Sequence, residues 1–120
     1  MPKKINIMDN AGVMTDRLFR EIWQQAIDAP DEDAFISAVN CPDKDLLTVQ
    51  DQLSRLWHVA NDDFRTLLDA FNMTQTIIST RFCIPFSSVQ NWACEMRVCP
   101  PYLRLMMAEA LGYITLRDMQ

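Results

Sequence analysis

Apolar residues recur at helical spacing along most of the chain. Thr15-Asp16 can cap a helix in which Leu18, Phe19, Ile22, Trp23, Ala26 and Ile27 form one apolar stripe, stopped by Pro30. Asp31-Glu32-Asp33 then places negative charge on the first turn of a short second helix. That helix carries Phe35, Ile36 and Val39 and ends before Cys41-Pro42. Asp43 opens a third, with Leu46, Val49, Leu53, Leu56 and Trp57 at helical spacing. Residues 1–14 show no periodicity and predict a flexible arm, and Asn61-Asp62-Asp63 resembles a cap rather than a hinge.

Beyond residue 61 the helices become short and closely spaced. Phe64, Leu67, Leu68 and Phe71 predict a helix ending at Asn72, a residue that tolerates the left-handed backbone of a helix terminus. Thr74 can cap the next, with Ile77, Ile78 and Phe82 inward and Gln75, Ser79 and Arg81 outward; Cys83-Ile84-Pro85 breaks it. A third has Val89 and Trp92 inward and Ser87, Ser88, Gln90 and Asn91 outward. Pro100-Pro101 starts a fourth, carrying Leu103, Met106, Met107, Ala110 and Leu111 and ending at Gly112. With two glycines and six prolines in 120 residues, the chain has little material for the turns of a sandwich or barrel. The expected fold is all-α: a helical bundle with a helix-turn-helix in the C-terminal half and an N-terminal helical extension. Its parts are an arm at 1–14, a helical region at 15–60, the helix-turn-helix domain at 61–113 and a tail at 114–120.

Two helices joined by a turn of about three or four residues, the second with a polar outer face, make a helix-turn-helix. One helix crosses the phosphate backbone while the next enters the major groove, where its side chains must be hydrogen-bonding and short enough to reach base edges. Ser87, Ser88, Gln90 and Asn91 meet that need, since the two amides can pair with adenine and the hydroxyls can bond bases or phosphates. Gln75 lies where an amide side chain and unused backbone N–H groups can hold a phosphate. Arg81, Arg97 and Arg104 are candidate phosphate clamps, and Phe86 brings an apolar ring that suits a thymine methyl or a protein interface.

The ordered run Asn72-Met73-Thr74-Gln75, Ile84-Pro85, Val89-Gln90-Asn91-Trp92, Pro100-Pro101-Tyr102-Leu103 and Ala108-x-Ala110-Leu111-Gly112 resembles the lambda-repressor-like (Xre/Cro-type) helix-turn-helix family. The likeness covers about half the chain and is nearest to the small helix-turn-helix proteins of Firmicutes and their mobile elements. It implies a five-helix DNA-binding bundle with residues 86–94 as recognition helix and Gln75 on the backbone. The chain departs from the family pattern where Cys83 occupies the usual glycine of the turn. It departs again where Glu95 occupies a glycine that ends the recognition helix, which implies either a longer helix or a strained loop.

Charge and chemistry narrow the reading further. Eleven Lys and Arg against sixteen Asp and Glu leave a formal charge of −5, which is unusual for a nucleic-acid binder. The acidity is concentrated in residues 1–61, with six basic against ten acidic groups, whereas residues 62–113 hold four against five. There is no run of eighteen apolar residues and no apolar stretch following Lys3-Lys4, so the expectation is a cytoplasmic protein with no membrane contact. Cys41, Cys83, Cys94 and Cys99 lack zinc-knuckle spacing and read as free, mostly buried thiols; no metal or cofactor is expected. His58, the single histidine, reads as a half-buried helix residue, and with no nucleophile or glycine-rich loop in view an enzyme is not expected.

The composite expectation is a transcriptional regulator that binds double-stranded DNA through Gln75, Arg81, Phe86, Ser87, Ser88, Gln90, Asn91 and Arg97. One recognition helix spans few base pairs, so a homodimer is expected, with Phe19, Trp23, Phe35 and Ile36 of the N-terminal helices available for pairing or for a protein partner. The alternative is a protein-interaction or counter-defence module on a helix-turn-helix scaffold with little DNA affinity, favoured by the acidic charge, Glu95 and Phe86.

Overall fold

The computed structural model describes residues 5–6, 15–40 and 46–118 and is all-α. Its helices are α1 (Asp16–Asp28), α2 (Glu32–Ser37), α3 (Leu46–Asn61), α4 (Phe64–Phe71), α5 (Gln75–Phe82), α6 (Phe86–Ala93) and α7 (Pro101–Ala110). Two compact units divide the chain. A discontinuous unit joins Met1–Asn61 to Ile114–Gln120, and a continuous unit spans Asp62–Tyr113.

In the discontinuous unit, Thr15 caps α1 by accepting from the Leu18 amide at 3.1 Å, and Asp31 caps α2 by accepting from Ala34 at 2.8 Å. Leu18, Phe19, Ile22 and Ala26 bury the stripe of α1, and α1 and α2 pack on α3 through Phe35, Val49, Leu53 and Leu56. The third helix begins at Leu46; Cys41 and Asp43 lie outside the described residues. Phe19 and Phe35 are 1% and 0% exposed, so their rings fill this unit's own core and are not surfaces for pairing; Trp23 and Ile36 are half-buried.

Three local expectations for this unit are corrected. Helix α2 stops at Ser37, and Val39-Asn40 instead forms a two-residue strand paired in parallel with Ile5-Asn6. Valine has a branched, strand-compatible side chain, and the pairing satisfies backbone groups of a segment otherwise read as a free arm. The remaining positions of residues 1–14 lie outside the described residues. Residues 114–118 are not a free tail, because Ile114 and Leu116 are buried and the Thr115 amide donates to Gln52 Oε1 at 2.7 Å. Gln52, itself 6% exposed, thereby has a partner for its buried carbonyl oxygen. Arg117 lies over the Phe19 ring at 4.1 Å and reaches Asp16 at 3.2 Å.

The continuous unit contains α4 to α7. Its core holds Phe64, Leu67, Leu68, Phe71, Ile78, Val89, Ala93, Leu105, Met107 and Ala108. Phe64 meets Trp92 edge-on at 5.4 Å, and Phe71 meets Tyr113 at 5.2 Å. Four helices make up this unit, where the family resemblance implied a bundle of five, and residues 114–118 belong to the other unit. The apolar stripe of α7 is also turned from its expected position. Arg104, Leu105, Met107 and Ala108 face inward, while Met106 is 61% exposed. Arg104 buries its aliphatic stem and donates from Nη1 to the Asp62 carbonyl at 2.8 Å, which reconciles a cation with that inward position. No helix among the described residues is long and apolar enough to cross a membrane.

Candidate functional site

Every helix of the continuous unit closes in the same way. The amide five residues on returns to a carbonyl of the last turn: Met73 to Leu68 at 3.0 Å, Ile84 to Ser79 at 3.0 Å, Met96 to Asn91 at 2.9 Å and Tyr113 to Ala108 at 2.9 Å. Each closure requires a left-handed residue just before the donor, and these are Asn72 (φ 57°), Cys83 (φ 55°), Glu95 (φ 61°) and Gly112 (φ 76°). Only one of the four is glycine. Of the two outcomes expected for Glu95, the strained loop is the one observed: α6 ends at Ala93 and Glu95 takes the left-handed backbone itself.

The α5–α6 connection is locked twice. Besides the Ile84 amide bond to the Ser79 carbonyl, the Ser79 hydroxyl donates back to the Ile84 carbonyl at 2.6 Å. Ser79 is therefore a half-buried turn clamp, not an outward side chain. Pro85 lacks an N–H and precedes α6 in extended backbone, so α6 starts abruptly at Phe86. Thr74 caps α5 by accepting from the Ile77 amide at 3.1 Å. The first-turn amides ahead of Ile77 have no partner within the helix, and Gln75, half-buried, stands at that end.

The expected site residues divide by exposure. Ser87 and Gln90 are exposed on α6, Ser88 and Asn91 are half-buried, and Val89 and Ala93 anchor the opposite face. Asn91 also carries structure, because its carbonyl accepts from both Met96 at 2.9 Å and Arg97 at 3.2 Å. Arg81 ends α5 and Arg97 follows the α6 turn, and both are exposed. Arg104 leaves the set of phosphate clamps, since it is 7% exposed and bonded to Asp62. Phe86 is 43% exposed at the first position of α6.

Several exposed apolar residues were not anticipated. Ile77, read as inward, is exposed because α5 turns Ile78 to the core and leaves its neighbour about 100° away around the helix. Met96, Val98, Tyr102 and Met106 are also exposed. The signal available for Tyr102 and Met106 was their four-residue spacing, which places them on one face of α7, opposite to the Arg104 side.

The thiols also differ from expectation. Cys83 and Cys94 are exposed, and only Cys99, among the described cysteines, is buried. Burial pushes the Cys99 thiol up to about 12, against a smaller opposing pull from Arg104. Among the described residues no cluster of three metal-ligating side chains occurs. In the discontinuous unit, Glu32 is held by the Ser54 hydroxyl and by His58 Nε2 at 3.1 Å, and Trp57 and His58 meet edge-on. This cluster joins α2 to α3, with Ser54 and His58 both bound to the Glu32 carboxylate. Compared with known proteins, the chain matches no family model, no curated protein and no solved structure.

Proposed function

We propose that the continuous unit binds double-stranded DNA, with α6 in the major groove and α5 across the backbone, in the lambda-repressor-like manner that the sequence resembles. The observation that carries this reading is the doubly clamped α5–α6 turn, which holds at a fixed angle a second helix whose exposed middle is Ser87 and Gln90. Rigid support matters because base contacts depend on side chains placed within hydrogen-bond range. Gln75 at the start of α5 and the exposed Arg81 and Arg97 supply the phosphate contacts that fix the register. Ser88 and Asn91 contribute from the flank of the same helix. The role is that of a cytoplasmic transcriptional regulator. It binds as a homodimer on half-sites about 34 Å apart, because one recognition helix spans too few base pairs for useful affinity.

The test is binding to labelled duplex DNA, titrated with salt, for the full chain and for Gln90→Ala/Asn91→Ala. The expected result is binding that weakens steeply with salt and loses sequence preference in the double variant. Absence of binding at low salt overturns the reading. A second reading, a protein-interaction module on the same scaffold, is favoured by the exposed apolar residues Met96, Val98, Tyr102 and Met106 and by the acidic Glu95. That reading expects a stable protein complex and no salt-dependent DNA binding.

A further inference from the structure

We infer that the amino-terminal turn of α6 reads a thymine methyl group next to an adenine, with Phe86 as the methyl contact and Gln90 as the adenine contact. This rests on the DNA-binding reading and specifies its substrate as a half-site containing adjacent A·T pairs. Phe86 and Gln90 are the first and fifth residues of an eight-residue helix. Their side chains are therefore neighbours, with Cβ atoms about 5–6 Å apart. Both are exposed, whereas Val89 and Ala93 hold the helix to the core.

The chemistry of the pair is complementary to one pattern of base edges. A recognition helix presents its amino-terminal residues to the groove, and Phe86 is the first of them. An aromatic ring has no hydrogen bond to offer a base edge, and the one apolar group on the major-groove edges is the thymine C5-methyl. An amide offers a donor and an acceptor together, which matches adenine N6 and N7. A ring and an amide one turn apart thus select a thymine and an adenine on neighbouring base pairs. Phe86 keeps 43% of its surface exposed, whereas Val89, three residues on, is fully buried. Pro85 fixes the backbone immediately before the ring, so Phe86 enters the groove from a restrained start.

The experiment begins with selection of bound sites from a randomised duplex library by the full chain. The selected site is then made with deoxyuridine in place of each thymine in turn, which removes only the methyl group. Affinity is expected to fall about fourfold at one thymine, the value of one buried methyl-sized group. Phe86→Ala is expected to bind the thymine and uracil sites equally while still binding DNA. Gln90→Ala is expected to lose about tenfold at the neighbouring adenine and to keep the thymine preference. If DNA is selected but no thymine substitution matters, or if Phe86→Ala keeps the discrimination, the inference is overturned and the DNA-binding reading stands. If no site is selected and no DNA binds at low salt, the DNA-binding reading itself fails. Circular dichroism of each variant verifies folding, and Phe86→Tyr, which keeps the ring, is expected to retain the uracil discrimination.

Discussion

The continuous unit ends each of its four helices through one left-handed residue and one returning amide, whereas α1 and α2 of the discontinuous unit end in extended or right-handed backbone at Ala29 and Ala38. The contrast extends to what positions the helices. In the discontinuous unit, side chains reach far along the sequence: Asn61 to the Ala26 carbonyl at 2.8 Å, Trp57 to the Ala29 carbonyl at 3.3 Å, Gln52 to the Thr115 amide and Arg117 to Asp16. In the continuous unit the Arg104 bond to the Asp62 carbonyl is also long-range, but the α5–α6 connection is closed within six residues, from Ser79 to Ile84. Local closure suits a unit built from one continuous stretch of chain, whose helix connections are set by residues a few positions apart. Long-range side-chain bonding suits a unit assembled from two separated stretches of chain, because only tertiary contacts can bring them together.

The most severe break of this comparison is a cavity in the discontinuous unit. Leu116→Ala, at a position with no exposure, is expected to cost about 2–5 kcal/mol. Hydrogen exchange should speed up first in α1 to α3; equal loss across α4 to α7 would show that the two units unfold as one.

Smaller effects test the helix closures. Cys83→Gly and Glu95→Gly relieve a left-handed non-glycine backbone and are each expected to stabilise by about 0.5–1 kcal/mol, a rise of a few degrees in Tm. Gly112→Ala, at φ 76° with open space around the added methyl, is expected to destabilise by about 1 kcal/mol through backbone strain alone. A loss of stability in Glu95→Gly would mean that its side chain contributes more than its backbone conformation costs.

Thiol reactivity provides a chemical probe of the same unit. Cys83 and Cys94 should be alkylated rapidly in the folded protein, and Cys99 only on unfolding, as read by mass spectrometry of digested peptides. A raised Cys99 also contributes stability that is fully present below pH 9.0 and is lost as the pH rises towards about 12. Cys99→Ser should flatten that alkaline limb.

The smallest effect is on the acid side of the discontinuous unit. The Ser54 hydroxyl, and after it His58, hold the Glu32 carboxyl below its ordinary 4.5, against the opposing effect of burial. A lowered carboxyl contributes stability above that value and loses it as the pH falls through the folded pKa. Glu32→Gln is therefore expected to lower Tm modestly at neutral pH and to weaken its fall below pH 4.5, measured by thermal denaturation. An unchanged acid limb would show that this cluster does not couple α2 to α3.

Much of the framework was legible in the sequence because it depends on local chemistry. Thr15 and Thr74 could be identified as caps from residue type and the stripe that follows, and Asn72 as a left-handed terminus, whereas Asp31, read as first-turn charge, is the cap of α2. The polar face of α6 was legible in part from Val89 and Trp92 at its apolar positions: Ser87 and Gln90 are exposed, whereas Ser88 and Asn91, also read as outward, are half-buried. Spacing alone did not set the rotation of α5 and α7, so Ile77 and Met106 were placed inward although both are exposed. With apolar residues on several faces of a short helix, periodicity is degenerate, and the packing partner selects the buried side.

The sequence by itself determined most of the helices, the Thr15 and Thr74 caps and the break between α5 and α6 at Cys83-Ile84-Pro85, because each depends on residues a few positions apart. Only the tertiary structure decided that residues 114–118 join α1 to α3, that Val39 leaves the helix to pair with Ile5, and that Arg104 is buried. Those outcomes depend on contacts between residues tens of positions apart. Their free energy comes from burial and hydrogen bonding in a particular neighbourhood, which no local pattern of side chains specifies.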